Sequence, residues 1–305
     1  MANYPQQVRV VEVGPRDGLQ SEPVTLATAG KIELINRLSA TGLRMIEATS
    51  FVSPSWVPQL SDAEAVWQGI ERRSGVDYPV LVPNRQGLER ALAAGVQQIA
   101  IFTAASETFC HRNMNCSIAE SLDRYAPVIE SARTASIRVR AYISCVLGCP
   151  YEGAVKLQRV VDLARFFTAA GCYEVSLGDT IGCGTPLQAQ RMVTAVADAV
   201  PLQQLALHFH DTRGQALANI LACLELGVSV VDAAVAGLGG CPYADGAAGN
   251  VATEDLVYML HGMDIETGVD LGKLVDTGHF ITHELHRENR SRVGLAGVPD
   301  HDTVA

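Results

Sequence analysis

Positive charge is scarce in this chain. Its 305 residues hold 23 Lys plus Arg against 33 Asp plus Glu, a formal net charge of −10. So acidic a chain lacks the basic footprint that holds nucleic-acid phosphates, and it suits an anionic membrane surface poorly. No run of about 18 uninterrupted apolar residues occurs, and the best stretch, 226–240, is broken by Asp232. The first residues show no basic region followed by an apolar one, so no secretory signal is expected. The expectation is a cytoplasmic protein with neither membrane nor nucleic acid as partner. The eight cysteines are scattered, none in CxxC spacing. A disulfide framework and an all-Cys/His zinc site are not indicated, and reduced thiols, mostly in the core, are expected. Lysine is limited to Lys31, Lys156 and Lys273, all in helical or connecting patterns. A Schiff-base aldolase and a carboxylated-lysine metal site each need a Lys inside the site, and both are disfavoured. The motifs GxGxxG, GxxxxGK[ST] and GxSxG are absent as well, which weakens the case for a doubly wound nucleotide fold or a hydrolase elbow.

Short β-rich runs do occur, alternating with amphipathic helical stretches. The runs cover 8–13, 45–49, 79–82, 98–103, 138–145, 173–177, 205–209 and 230–235. Consecutive strands separated by helices pair in parallel, because a parallel pair needs a crossover. Eight such units is the count that closes a (β/α)8 TIM barrel, typically about 250 residues as one domain. Helical patterns at 250–263 and 271–290 follow, so the expected fold is α/β: a barrel with a C-terminal helical extension. Residues 1–290 then form a single domain, and 291–305 are expected to be a loose tail.

The polar residues that break the pattern fall at the C-terminal ends of the strands, where barrels carry their active sites. They are Arg16 and Asp17 after the first strand, Glu47 at the second, Ser144 at the fifth and Asp179 after the sixth. His208 and His210 stand at the seventh, and Cys241 and Asn250 follow the eighth. Side chains two apart on a strand share a face, so His208 and His210 can converge on one metal or can be two structural histidines. Asp17 and Asn250 can add oxygen ligands, a set suited to Mg²⁺ or Mn²⁺. His279, His283 and His286 also share a helical face, but beyond the barrel and without HExxH spacing, and a solvated or interface face is expected there. Cys145 and Cys149 are expected to be structural.

The segments Gly14-Pro15-Arg16-Asp17-Gly18-Leu19-Gln20, His208-Phe209-His210-Asp211-Thr212 and Gly237-Leu238-Gly239-Gly240-Cys241-Pro242-Tyr243, leading to Gly249-Asn250, resemble the 3-hydroxy-3-methylglutaryl-CoA lyases of the DRE-TIM metallolyase family. So do 46–54 and 176–182, and the resemblance spans nearly the whole chain. It implies metal-dependent cleavage of 3-hydroxy-3-methylglutaryl-CoA to acetyl-CoA and acetoacetate, a step of leucine breakdown and ketone-body formation. It also implies a divalent metal on Asp17, His208, His210 and Asn250, with Arg16, Asp17, Glu47, Asp179, His208 and Cys241 as catalytic residues. Either Asp17 or Asp179 is then the base that takes the hydroxyl proton. Substrate binding is assigned to Arg16, Ser50, Ser144 and Ser176, and a homodimer acting on a small acyl-CoA is expected. The alternatives are a lyase for a related 3-hydroxyacyl-CoA and a Claisen-condensing acyltransferase of the same superfamily.

Overall fold

The structure is a computed structural model that describes residues 4–240 and 249–298. Its strands are β1 (Arg9–Glu12), β2 (Met45–Ile46), β3 (Thr49–Ser50), β4 (Val80–Leu81), β5 (Gln98–Ala104), β6 (Arg138–Ser144), β7 (Glu174–Asp179), β8 (Leu205–Phe209) and β9 (Val230–Ala233). All neighbours pair in parallel, in the order β2-β1-β9-β8-β7-β6-β5-β4-β3. The two ends of that order, β2 and β3, are successive pieces of the second β-rich run. β2 lies against β1, with Val11 opposite Met45, while Ile46 N–H donates to Asp77 C=O and Ala48 N–H to Pro79 C=O. One interrupted strand thus bridges both edges and closes the sheet into the expected eight-fold barrel.

The helices are α1 (Thr28–Ser39), α2 (Ala63–Gly69), α3 (Arg85–Ala93), α4 (Glu107–Met114), α5 (Ile118–Thr134), α6 (Leu157–Ala169), α7 (Pro186–Ala197), α8 (Ala216–Leu224), α9 (Thr253–Gly262), α10 (Leu271–Glu284) and α11 (Arg292–Ala296). Their ends follow local chemistry. Thr185 and Gln188 form a reciprocal capping box with Pro186 in the first turn of α7. Gly171, just beyond α6, takes φ +98°, a conformation that costs a side-chain-bearing residue energy. Helices cover the outer face of the barrel, so strands such as β5 are buried almost throughout. None of the three lysines enters the barrel: Lys31 is in α1, paired with Asp62, Lys156 precedes α6 and Lys273 is in α10.

Two details depart from the sequence expectation. α4 was not foreseen; Ser106 caps it, accepting from Phe109 N–H. The segment from Ser291 does not begin as a loose tail. Ser291 Oγ donates to Asp255 at 2.7 Å and Val293 N–H to the same carboxylate at 2.8 Å, fastening α11 to α9. Hydrogen bonds to one anion, three in all with that from Arg292 N–H, were invisible in a stretch without hydrophobic periodicity.

Candidate metal centre and catalytic cavity

After β1 the chain makes a single π-helical turn over Gly14–Gly18. Such turns are rare and recur at functional sites. This one carries Arg16 and Asp17 to the mouth of the barrel, where they line a cavity of about 590 Å³. At the end of β8, His208 and His210 line the same cavity. A bridge between His210 and Asn250 brings the amide alongside. One potential ligand atom each from Asp17, His208 and His210 lie within 4.8 Å of one another. Asn250 Nδ2 donates to Asp17 Oδ2 at 2.9 Å and to Leu238 C=O at 3.1 Å.

Two buried atoms beside this group have no hydrogen-bond partner among the described residues: His210 Nδ1 and Asn250 Oδ1. A buried orphan costs about 1–3 kcal/mol, and unpaired donor atoms gathered about one point suit a cation. Burial, with His208 adjacent, holds the His210 pKa down at about 4, so its imidazole is neutral at pH 7 as a ligand must be. Burial opposes ionisation of Asp17, but Arg16, His208 and His210 outweigh it and hold the carboxyl well below its usual range. A carboxylate, two imidazoles and an amide oxygen fit a divalent ion such as Mg²⁺ or Mn²⁺.

Arg16 is clamped on two sides. Its Nε and Nη2 each lie 2.7 Å from Glu47 Oε2, and Nη1 lies 2.7 Å from Asp17 Oδ1. The guanidinium sits 5.3 Å over the Tyr142 ring, and Tyr142 OH donates to the same Glu47 oxygen at 3.1 Å. Burial pushes Glu47 up while Arg16 pulls it down, and burial prevails. On the far side, His208 Nδ1 lies 3.2 Å from Asp232 Oδ2 and Nε2 lies 3.8 Å from Asp17. A carboxylate on one ring nitrogen fixes the tautomer and leaves the other for the metal. Asp232 is itself held by Arg140 at 2.7 Å, and Arg140 also pairs with Glu174.

Sequence reasoning missed Tyr142, Asp232 and Arg140. Asp232 was visible as the charge interrupting an otherwise apolar stretch, and a charge inside a strand predicted to be buried needs a partner. Ser50 and Ser144 line the cavity, and Ser50 Oγ is buried without a partner among the described residues.

Four expected site residues do not line the cavity: Glu47 and Asn250 stand behind it, bonded to Arg16 and Asp17, and Ser176 and Asp179 are engaged elsewhere. Ser176 donates to Asp232 Oδ2 at 2.7 Å, inside the barrel. Its strand position matched the site side, but its hydroxyl is consumed by a buried carboxylate. Asp179 accepts N–H groups of Cys183 at 3.1 Å and Gly184 at 2.8 Å, and so fastens the loop before α7. Cys241 lies outside the described residues, and Gly240 just before it lines the cavity. Among the described residues, His279, His283 and His286 do not form a ligand group, and His283 is 84% exposed. Cys145 and Cys149 are both buried, with Cys149 Sγ 2.9 Å from Ser106 Oγ.

The sequence model of the HMGL-like family matches residues 7–281. The mitochondrial hydroxymethylglutaryl-CoA lyase of Gallus gallus is 60% identical over 293 residues, 96% of this chain and 98% of that protein. The crystal structure of hydroxymethylglutaryl-CoA lyase from Pseudomonas aeruginosa superposes with a TM-score of 0.94 at 56% identity, covering 96% of this chain and 98% of that one. An HMG-CoA lyase from Acinetobacter baumannii, in complex with coenzyme A and 3-methylmalate, also gives 0.94, at 38% identity over 99% and 98% of the two chains. Agreement over so much of the sequence, on the same barrel, places the chain in the HMGL-like family, alongside the hydroxymethylglutaryl-CoA lyases.

Proposed function

We propose that this protein is a metal-dependent carbon–carbon lyase that cleaves 3-hydroxy-3-methylglutaryl-CoA to acetyl-CoA and acetoacetate. The observation that carries the reading is a fixed cation, Arg16, standing beside the Asp17, His208 and His210 group in one open cavity. Those three side chains and Asn250 would hold Mg²⁺ or Mn²⁺, which would supply Lewis acidity toward the substrate's tertiary hydroxyl.

The chain's own residues account for the rest. Asp17 faces the cavity, whereas both oxygens of Asp179 are engaged by the loop at Cys183 and Gly184; this favours Asp17 as the first acceptor of the hydroxyl proton. Arg16 keeps Asp17 a weak base that readily gives the proton up again, and His208, with Nδ1 on Asp232, would serve as a metal ligand through Nε2. The bond from C3 to C2 then breaks, C3–O becomes the ketone of acetoacetate, and the electron pair moves into a thioester enolate. Arg16, held between Glu47 and Asp17, stabilises that charge where it develops and needs no reorganisation to do so. Protonation of the enolate carbon, assigned to Cys241, completes acetyl-CoA. Ser50 and Ser144 are the substrate-binding hydroxyls of this scheme, and Ser176 is not.

A homodimer in the cytoplasm completes the proposal. Among the described residues no helix is long and apolar enough to cross a membrane. The deciding experiment incubates the protein with 3-hydroxy-3-methylglutaryl-CoA, Mg²⁺ and a dithiol and measures acetoacetate. No acetoacetate, with thiol released instead from acetyl-CoA and a 2-oxo acid, would establish the condensing acyltransferase. Sedimentation and cell fractionation test the dimer and the compartment.

A further inference from the structure

We infer that Glu12 is a positioning residue that sets the distance between the turn carrying Arg16 and Asp17 and the segment carrying Asn250; the inference rests on the metal-dependent reading of the site. Glu12 is the last residue of β1 and is fully buried. Its Oε1 accepts Gly14 N–H at 2.8 Å and Val235 N–H at 3.0 Å, and its Oε2 accepts the Thr253 hydroxyl at 2.7 Å. Each donor opens a different part of the site. Gly14 starts the π-helical turn of Arg16 and Asp17, and Val235 starts the short turn that leads to Gly239 and Gly240. Thr253 starts α9, three residues after Asn250. One carboxylate therefore ties together stretches more than 200 residues apart in sequence.

Stability alone does not call for this arrangement. Among the described residues no Lys or Arg pairs with Glu12, and burial pushes its pKa up to about 7 despite the three donors. A buried carboxylate without a counter-ion costs free energy that an apolar side chain would not. The approach is also tight. A Cβ on residue 14 would lie 2.6 Å from Glu12 Oε1, so a side chain there would push the carboxylate out of its place. What the carboxylate contributes is geometric. Asp17 and Asn250 meet at 2.9 Å across 233 residues, and a metal site tolerates errors of only about 0.5 Å in its ligands.

The test compares Glu12→Gln, Glu12→Met, Thr253→Val and Thr253→Ser, with circular dichroism and Tm as checks on folding. Mn²⁺ affinity is read by calorimetry without substrate, and kcat and KM are read separately. Glutamine can accept both backbone N–H groups through its oxygen and donate to Thr253 through its amide, so Glu12→Gln should stay within about threefold of the parent in Mn²⁺ affinity. Glu12→Met should lose about tenfold or more, in the range seen when partners of metal ligands are removed, and kcat should fall more than KM rises. If Glu12→Met does not fold, Thr253→Val removes a single donor and should still weaken Mn²⁺ binding, with Thr253→Ser restoring it. Parental Mn²⁺ affinity and kcat in folded Glu12→Met or Thr253→Val, with only Tm lowered, would make Glu12 a purely structural acid and overturn the inference. A parent that binds Mn²⁺ but releases no acetoacetate would instead overturn the lyase reading, and the Mn²⁺ titrations would still decide the role of Glu12.

Discussion

Replacing Arg16 by Gln should separate catalysis from binding more cleanly than any other single change. The guanidinium makes two 2.7 Å contacts to Glu47 Oε2 and one to Asp17 Oδ1. Removing one partner of a buried ion pair costs up to about 3–5 kcal/mol. Glu47, already pushed up by burial, can take a proton and recover part of that, which leaves a loss of about 2–4 kcal/mol. At about 2–4 °C per kcal/mol for a chain of this size, Tm should fall by about 5–15 °C while the fold survives. The effect on rate is distinct, because it concerns charge that exists only as the carbon–carbon bond breaks. Loss of one donor aimed at a developing oxyanion typically lowers kcat by about 10²–10³, or about 2.7–4 kcal/mol. The assay is acetoacetate release at saturating Mg²⁺, with KM measured separately and expected to change by less than about fivefold. Arg16→Lys retains a charge but lacks the planar fork that spans two carboxylates, so it should recover part of the Tm and little of the kcat. A kcat within fivefold of the parent in either variant, at full metal loading, would refute the argument and reduce Arg16 to a brace between Glu47 and Asp17.

Chelation should abolish activity and Mn²⁺ or Mg²⁺ should restore it, and His210→Ala should weaken Mn²⁺ binding by at least about tenfold; an unchanged titration would show that His210 is not a ligand. Alkylation at about one equivalent should label Cys241 and stop turnover, with bound substrate protecting. Burial pushes the thiols of Cys110, Cys172 and Cys223 up to about 12, and burial together with Asp179 does the same to the half-buried Cys183, so peptide maps showing label on Cys183 while activity falls would transfer the role. Glu254 accepts Ala236 N–H on both oxygens, and burial pushes its pKa from the ordinary 4.5 up to about 8. The folded state thus holds this proton more tightly than the unfolded chain, so the stabilisation is complete below about pH 4.5 and is lost as pH rises through about 8. Glu254→Gln has no such dependence, and its Tm relative to the parent should climb between pH 5 and pH 9; a constant difference would contradict the burial argument.

The alternation of strands and helices, the closure at eight units and the gathering of Arg16, Asp17, His208 and His210 at one end were legible in sequence. Each follows from local pattern plus the rule that parallel strands deliver their C-terminal ends to a common face. Asp179 and Ser176 satisfied the same rule, yet neither is among the residues lining the cavity. Strand position determines the end of the barrel at which a residue emerges, but not which neighbour takes its last hydrogen bond. The centre of the barrel was harder to read for a related reason. β6, β8 and β9 are buried on both faces, so hydrophobic alternation does not distinguish inward from outward positions. Parallel register alone sets His208 opposite Asp232 and Gly178 opposite His208, and with that the carboxylate that orients the histidine. Composition and periodicity therefore determined the barrel and the chemistry available at its mouth. Only the tertiary structure decided which further buried acids support that chemistry, because Glu12 and Asp232 take their partners from adjacent strands and distant turns.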